Sequence, residues 1–207
     1  MDFEYKGGNC VVVSTKQGVL VVDGKLSPVG LKDVQPKDAI ELATQTGFSS
    51  DAGRVAVDMP GEYEINDISI HGIAAQRMID YDGSLQATMY RVAFPNLALA
   101  VLGHVTTPLT DDQLENLGVI DVLILPVGGG GYTLDAHHAV DMVHKINPRV
   151  VIPTHYADSH TKYEVPQDAL EPFITLLGAP HEETPKWKVK NGILPDVQTV
   201  IVLSRTS

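Results

Sequence analysis

The residues in this sequence best equipped to bind metals or move protons are its histidines and its lone cysteine, Cys10. His137, Asp141 and His144 fall at i, i+4 and i+7, a spacing that aligns donors along one flank of a helix as a metal face would. They also lie beside an apolar stripe, so the expected reading is an ordinary solvated flank. His71 alternates with apolar neighbours and is expected to face solvent or a sheet edge. His155 follows a strongly apolar run, where a lone imidazole is often simply hydrogen-bonded to backbone. His104 reads as a ligand or, preferably, as a neutral imidazole at the edge of the core. Cys10 sits in a β-branched run and reads as core, not nucleophile. The four glycines 128–131 precede a helix start, where backbone N–H groups can meet an anion. No Lys-Ser/Thr follows them, and Thr133 stands where a dinucleotide loop needs its third glycine, so a flexible loop is the plainer reading. No Ser-His-Asp triad can be defended from spacing.

The elements that would position these residues come in two styles. The first half reads as short strands at 10–15, 19–23, 54–58, 62–65, 68–73, 89–94 and 97–102. Lys16-Gln17-Gly18 and Pro95-Asn96 have the composition of hairpin turns. In the second half Thr110-Asp111-Asp112-Gln113 has the form of a capping box, opening a helix that ends near Gly118. Residues 121–127 and 150–153 are apolar throughout, hence strands buried on both faces. Between them Ala136, Ala139, Val140, Val143 and Ile146 recur at helical spacing, predicting a helix over 134–146 that Pro148 stops. Pro166 is expected to open a last helix that Gly178 ends, and 197–203 to close the chain as a strand. With no repeat or linker, residues 1–207 are expected to form one domain.

Nearly the whole chain, in order, resembles the metallo-β-lactamase superfamily, in the branch of ascorbate-phosphate-lactonase-like hydrolases. Tyr5-Lys6-Gly7-Gly8-Asn9-Cys10 followed by 19–23 resembles its opening hairpin, which ends in an Asp. The resemblance continues through Pro60-Gly61-Glu62-Tyr63-Glu64-Ile65, Ile68-Ser69-Ile70-His71-Gly72-Ile73 and Leu102-Gly103 to Pro108-Leu109-Thr110. It is strongest at Asp121-Val122-Leu123-Ile124-Leu125-Pro126-Val127-Gly128-Gly129, with Thr133-Leu134-Asp135-Ala136 and Pro153-Thr154-His155-Tyr156 after it. The fold this implies is a four-layer αββα sandwich, an α/β (α+β) class, with a metal site at one edge.

In that family one or two zinc-like ions, held by His and Asp, lower the pKa of a bound water to about 7. Here the expected ligands have mostly been replaced. The loop of the first His-x-His-x-Asp-His cluster reads Gln45-Thr46-Gly47-Phe48-Ser49-Ser50. The next ligand position falls on Gln76 or Arg77, and a guanidinium cannot coordinate a cation. His104 stands at the place of a bridging Asp, and His155 alone matches a surviving ligand. Two divalent ions would repel each other and Arg77 with little compensating carboxylate. Arg77 could instead offer an anion its planar fork of donors, or pair with Asp80 or Asp82. Asp135 either complements a helix dipole or enters the cleft.

The formal charge of −11 argues against nucleic-acid and anionic-membrane partners, which need clustered Lys and Arg. The apolar runs are strand-sized, well short of the roughly 20 residues of a membrane helix. The acidic start lacks a secretion signal and the lone cysteine suits a reducing interior, so a cytoplasmic protein is expected. The leading expectation is a non-catalytic module that binds a small molecule, an anion among the candidates, with no cofactor. Its vestigial site would contain His104, His155, Arg77, Asp135 and Gln45. The alternative is a divergent hydrolase with a reduced site holding a single Zn or similar divalent ion at His104 and His155. A homo-oligomer or a structural subunit is compatible with either.

Overall fold

The structure, a computed structural model, describes residues 1–190 and 192–206. Two mixed sheets pack face to face. The first, of six strands, runs in the order β13 (Trp187–Lys188), β1 (Asp2–Gly7), β2 (Cys10–Ser14), β3 (Val19–Val22), β4 (Ile40–Leu42), β5 (Val55–Val57). The second, of eight, runs β12 (His181–Thr184), β14 (Thr199–Leu203), β11 (Val150–Thr154), β10 (Val122–Pro126), β9 (Leu97–Val101), β8 (Ala87–Phe94), β7 (Ile68–Ala75), β6 (Gly61–Ile65).

Alternation decides what lies between the sheets. Phe3, Tyr5, Val11, Val13, Leu20 and Val22 on one side meet Ile70, Tyr90, Val92, Leu99, Val101, Val122 and Ile152 on the other. The opposite residues of the larger sheet, among them Met89, Leu123, Leu125 and Val151, pack under the helices. These are α1 (Asp111–Leu117), α2 (Ala136–Ile146) and α3 (Glu171–Leu177). β10 and β11 are buried at every position, as their unbroken apolar sequences require.

Both expected hairpins form, with Ser14 paired to Val19 and Phe94 to Leu97. The Thr110 capping box is present with both of its reciprocal bonds. Helix α2 buries Ala139, Val140 and Val143 while His137, Asp141 and His144 stay exposed, so that trio is a solvated flank. His71 is half-buried.

Three details differ from the sequence expectations. Helix α3 begins at Glu171, after a segment in which Asp168 N–H donates to Gly128 O and the Gln167 side chain reaches His155. Strands β12 and β13 add edges that were not read. The outer face of the six-stranded sheet carries no α-helix among the described residues. Cys10, Val21 and Ala39 are covered instead by Leu26, Val29, Leu31 and Val34 of the connection after β3, which contains one 3-10 turn, Ser27–Val29. Pro28, Gly30 and Pro36 deny that connection a helical run. No helix among the described residues is long and apolar enough to cross a membrane.

Candidate functional site

Strands β9, β10 and β11 are parallel, so their carboxyl ends open on the same edge of the sandwich. They deliver His104, Gly128 and His155 there. From the other sheet, parallel β3 and β4 bring Asp23 and Gln45. A cavity of about 200 Å³ at this edge is lined by Gln45, Phe48, His104, Tyr132, His155 and Tyr163, with Glu164 among its remaining walls. A smaller one of about 50 Å³ is lined by Asp23, His104 and His155 among others.

His155 is held in a left-handed conformation, φ 54°, which costs a non-glycine residue of order 1 kcal/mol or more unless its surroundings impose it. They do: its N–H donates to Gly8 O at 2.8 Å, and the preceding Thr154 hydroxyl donates to Asn9 Oδ1 at 3.1 Å. Its Nδ1 lies 3.1 Å from Gln167 Oε1, while Gln167 Nε2 donates to Val165 O at 3.0 Å. The second bond orients the amide, so Nδ1 is the donor and Nε2 of the neutral ring carries the lone pair. Burial, only partly opposed by the Gln167 bond, pushes the His155 pKa down to about 4.

The His104 ring meets His155 edge-on with centroids 4.6 Å apart, and Phe48 edge-on at 5.4 Å. Burial, then the proximity of His155 and Arg77, holds its pKa well below the usual imidazole value. Its Nε2 is buried with no hydrogen-bond partner. Tyr163 sets its ring at a tilt 4.5 Å from His155, and its buried hydroxyl lies near Tyr5, Thr161 and Gly8.

Two buried carboxylates adjoin the site, and both are spent on structure. Asp23 accepts from Thr44 N–H, Thr44 hydroxyl and Asn9 Nδ2 at 2.7, 2.7 and 3.2 Å. Burial nevertheless raises its pKa to about 7. Glu41 accepts from the hydroxyls of Ser49 and Ser50 and from the backbone N–H groups of Ser50, Ala52 and Gly53. Burial alone would raise its pKa, but those five donors win and hold it below the usual range. Ser49 and Ser50, which the resemblance puts at ligand positions, therefore serve Glu41.

The remaining sequence candidates are placed apart. Arg77 takes the partner that the sequence offered as its alternative: Nε and Nη2 bind Asp80 at 3.0 and 2.7 Å. Its Nη1 reaches Gln45 Oε1 at 3.4 Å, behind the wall of the cavity rather than in it. Asp135 is the N-cap of α2, accepting from His138 N–H at 2.9 Å, and does not line the cavity. That carboxylate already occupies the helix N-terminus where an anion would have bound. The glycines nearby serve close approach, since a Cβ at Gly128 would fall 1.9 Å from His155 O. Sequence reading missed Phe48, Tyr132, Tyr163 and Gln167, which come from separate loops with no shared spacing.

Comparison with known proteins supports the fold independently. The family model described as Beta-lactamase superfamily domain matches residues 2–155. A Thermotoga maritima structure assigned as a Zn-dependent hydrolase of the metallo-β-lactamase superfamily superposes with a TM-score of 0.80 at 22% identity, over 99% of each chain. Igni18, a metallo hydrolase from the archaeon Ignicoccus hospitalis, gives 0.59 at 16% identity, over 86% of this chain and 90% of its own. An isothiocyanate hydrolase from Delia radicum gut bacteria gives 0.61 at 8% identity, over 85% and 91%. At these identities the likeness is one of fold.

The residues present do not fit a dinuclear metal centre. Among the described residues no three His, Cys, Asp or Glu side chains converge closely enough to hold an ion. The cavity offers two imidazoles, and the adjoining Asp23 carboxylate is committed to three donors. A dinuclear centre needs several anionic or imidazole ligands around each ion.

Proposed function

The chain belongs to the beta-lactamase superfamily, and on that premise we propose that it is a non-catalytic, cytoplasmic module that binds a small molecule where its relatives' fold would hold metal. One observation carries this reading. His104 Nε2 is a buried side-chain nitrogen that lacks a partner, and His104 lines the 200 Å³ cavity. Buried polar groups are otherwise satisfied almost without exception, because each orphan costs about 1–3 kcal/mol. A partnerless nitrogen at a cavity is a group kept for a ligand. The surroundings favour an uncharged one: no Lys or Arg lines this cavity, Glu164 does, and Arg77 is already paired with Asp80. Lys25, at the inner cavity, is paired with Asp33 at 2.8 Å.

The experiment is metal analysis of protein purified without chelators, with melting curves before and after EDTA. The expected result is well under one equivalent of zinc and an unchanged Tm, because only ligands that prefer the native state raise it. Two equivalents of zinc with ester or lactone hydrolysis would overturn the reading. One equivalent, lost with a fall in Tm in a His104→Ala, His155→Ala double variant, would replace it with the single-ion hydrolase.

A further inference from the structure

We infer that the natural ligand is a single uncharged aromatic ring carrying a hydroxyl group, a phenol-like molecule, which rests on the binding-module reading above. Three features select it. The first is size: the cavity of about 200 Å³ modestly exceeds the roughly 150 Å³ engineered cavity that accepts benzene. One ring with a few substituent atoms fills such a space and a second fused polar system does not.

The second is the character of the walls. Phe48, Tyr132 and Tyr163 come from three different loops, so aromatic faces and edges surround the space without belonging to one packed element. The existing contacts among Phe48, His104, His155 and Tyr163 are edge-on or tilted, the geometries in which ring quadrupoles attract. An aromatic guest extends that series; an aliphatic guest of equal volume gains only burial.

The third is the hydrogen bonding at the inner end. His155 donates through Nδ1 to Gln167, which leaves its Nε2 as an acceptor. Beside it, His104 Nε2 is partnerless. A hydroxyl set next to this pair both donates and accepts, so it donates to His155 and takes the remaining bond with His104. A ketone or ether oxygen only accepts, and a carboxylate would add charge beside Glu164 and two imidazoles that are neutral at pH 7. A bare benzene ring would bury both nitrogens unsatisfied.

The test is titration of the full-length protein with phenol, benzene, cyclohexanol and benzoate, read by calorimetry and by Tm. Phenol is expected to bind at least ten-fold more tightly than the other three. His104→Phe keeps an aromatic wall but removes the partnerless nitrogen, and it should narrow the phenol-to-benzene gap to under three-fold. Should that variant fail to fold, Tyr132→Leu should weaken phenol at least five-fold while leaving cyclohexanol unchanged. Equal binding of cyclohexanol and phenol, tighter binding of benzoate, or no binding of any probe at millimolar concentration would each overturn the ligand class. None of those outcomes bears on zinc content, so the module reading stands or falls separately on the metal analysis.

Discussion

Two polar centres lie within one loop of each other, and they are built on opposite plans. Glu41 has a full formal charge in the core, yet five donors from residues 49–53 enclose it. His104 is uncharged, equally buried, and has a nitrogen that nothing meets. A buried charge is tolerable only when fully paired, so the first centre is part of the fold. An unpaired neutral group costs less and persists only where something other than folding retains it. The family places its first metal ligands on the loop that now wraps Glu41. That carboxylate gives the loop a centre without any ion, and the loop in turn holds Phe48 and Gln45 against the cavity.

If the contrast is right, the two residues respond to mutation with opposite signs. Glu41→Ala strips five donors of their acceptor, three of them backbone N–H groups that cannot turn elsewhere, and should destabilise by about 3–5 kcal/mol in urea titration. The wild-type contribution follows the carboxylate's charge. Because the folded pKa lies below the unfolded one, the stabilisation is complete above about pH 4.5 and disappears as pH falls through the folded value. A loss under 1 kcal/mol would mean that the loop holds itself and the comparison fails.

Asp23 sharpens the contrast by running the other way with pH. It has three donors but lies entirely in the core, and burial raises its pKa from 3.8 to about 7. A carboxyl whose folded pKa is raised lends its full stability below the unfolded value, and that stability drains away as pH climbs from about 4 to 7. Relative to an Asp23→Asn variant, the wild type should therefore lose up to about 4 kcal/mol across that window. A flat difference would show that the three donors offset burial completely, making Asp23 a second Glu41.

The other half of the comparison is His104→Phe. Replacing a partnerless imidazole with an apolar ring of similar shape removes an unmet hydrogen bond, so the folded state should gain about 1–2 kcal/mol while phenol selectivity collapses. Gain in stability with loss of binding is the signature of a functional site. A loss of more than 1 kcal/mol would mark His104 as an ordinary structural residue.

How much of this could be read from the sequence depended on whether the signal was local. The runs 121–127 and 150–153 announced buried strands because every residue in them is apolar, and the Thr110 box announced its helix through two adjacent bonds. The start of α3 misled because Pro166 is a sound opening signal, but Gln167 and Asp168 are drawn off to His155 and Gly128, far away in sequence. β12, reading His181-Glu182-Glu183-Thr184, has no apolar alternation at all and exists because β14 offers an edge. Within the site, His104 and His155 were visible as residues standing at strand ends. The aromatic walls were not, since Phe48, Tyr132 and Tyr163 share no period and meet only through tertiary structure. Glu41 gives no sequence signal of its role, because the five donors that enclose it come from residues 49–53 of a loop whose approach only the fold determines.

Arg77 gives the smallest expected effect and the most direct challenge to an uncharged ligand. Its side chain is 27% exposed and grips Asp80 through two nitrogens, while the Asp80 carboxylate also accepts from Arg77 N–H at 3.0 Å. That backbone bond survives truncation of the side chain. Arg77→Ala should thus cost about 1 kcal/mol or less, in line with partly exposed ion pairs. More telling is what the variant does to binding. A cation whose charge is offset by a carboxylate at 2.7 Å projects only a reduced field to His104, so the affinity for phenol should be unchanged and that for benzoate should change less than about two-fold. If phosphate or benzoate raised the Tm of the wild type and Arg77→Ala abolished that rise, Asp80 would have to release the guanidinium on binding. The site would then be an anion receptor with a latent cation, and the orphaned His104 nitrogen would be secondary to it.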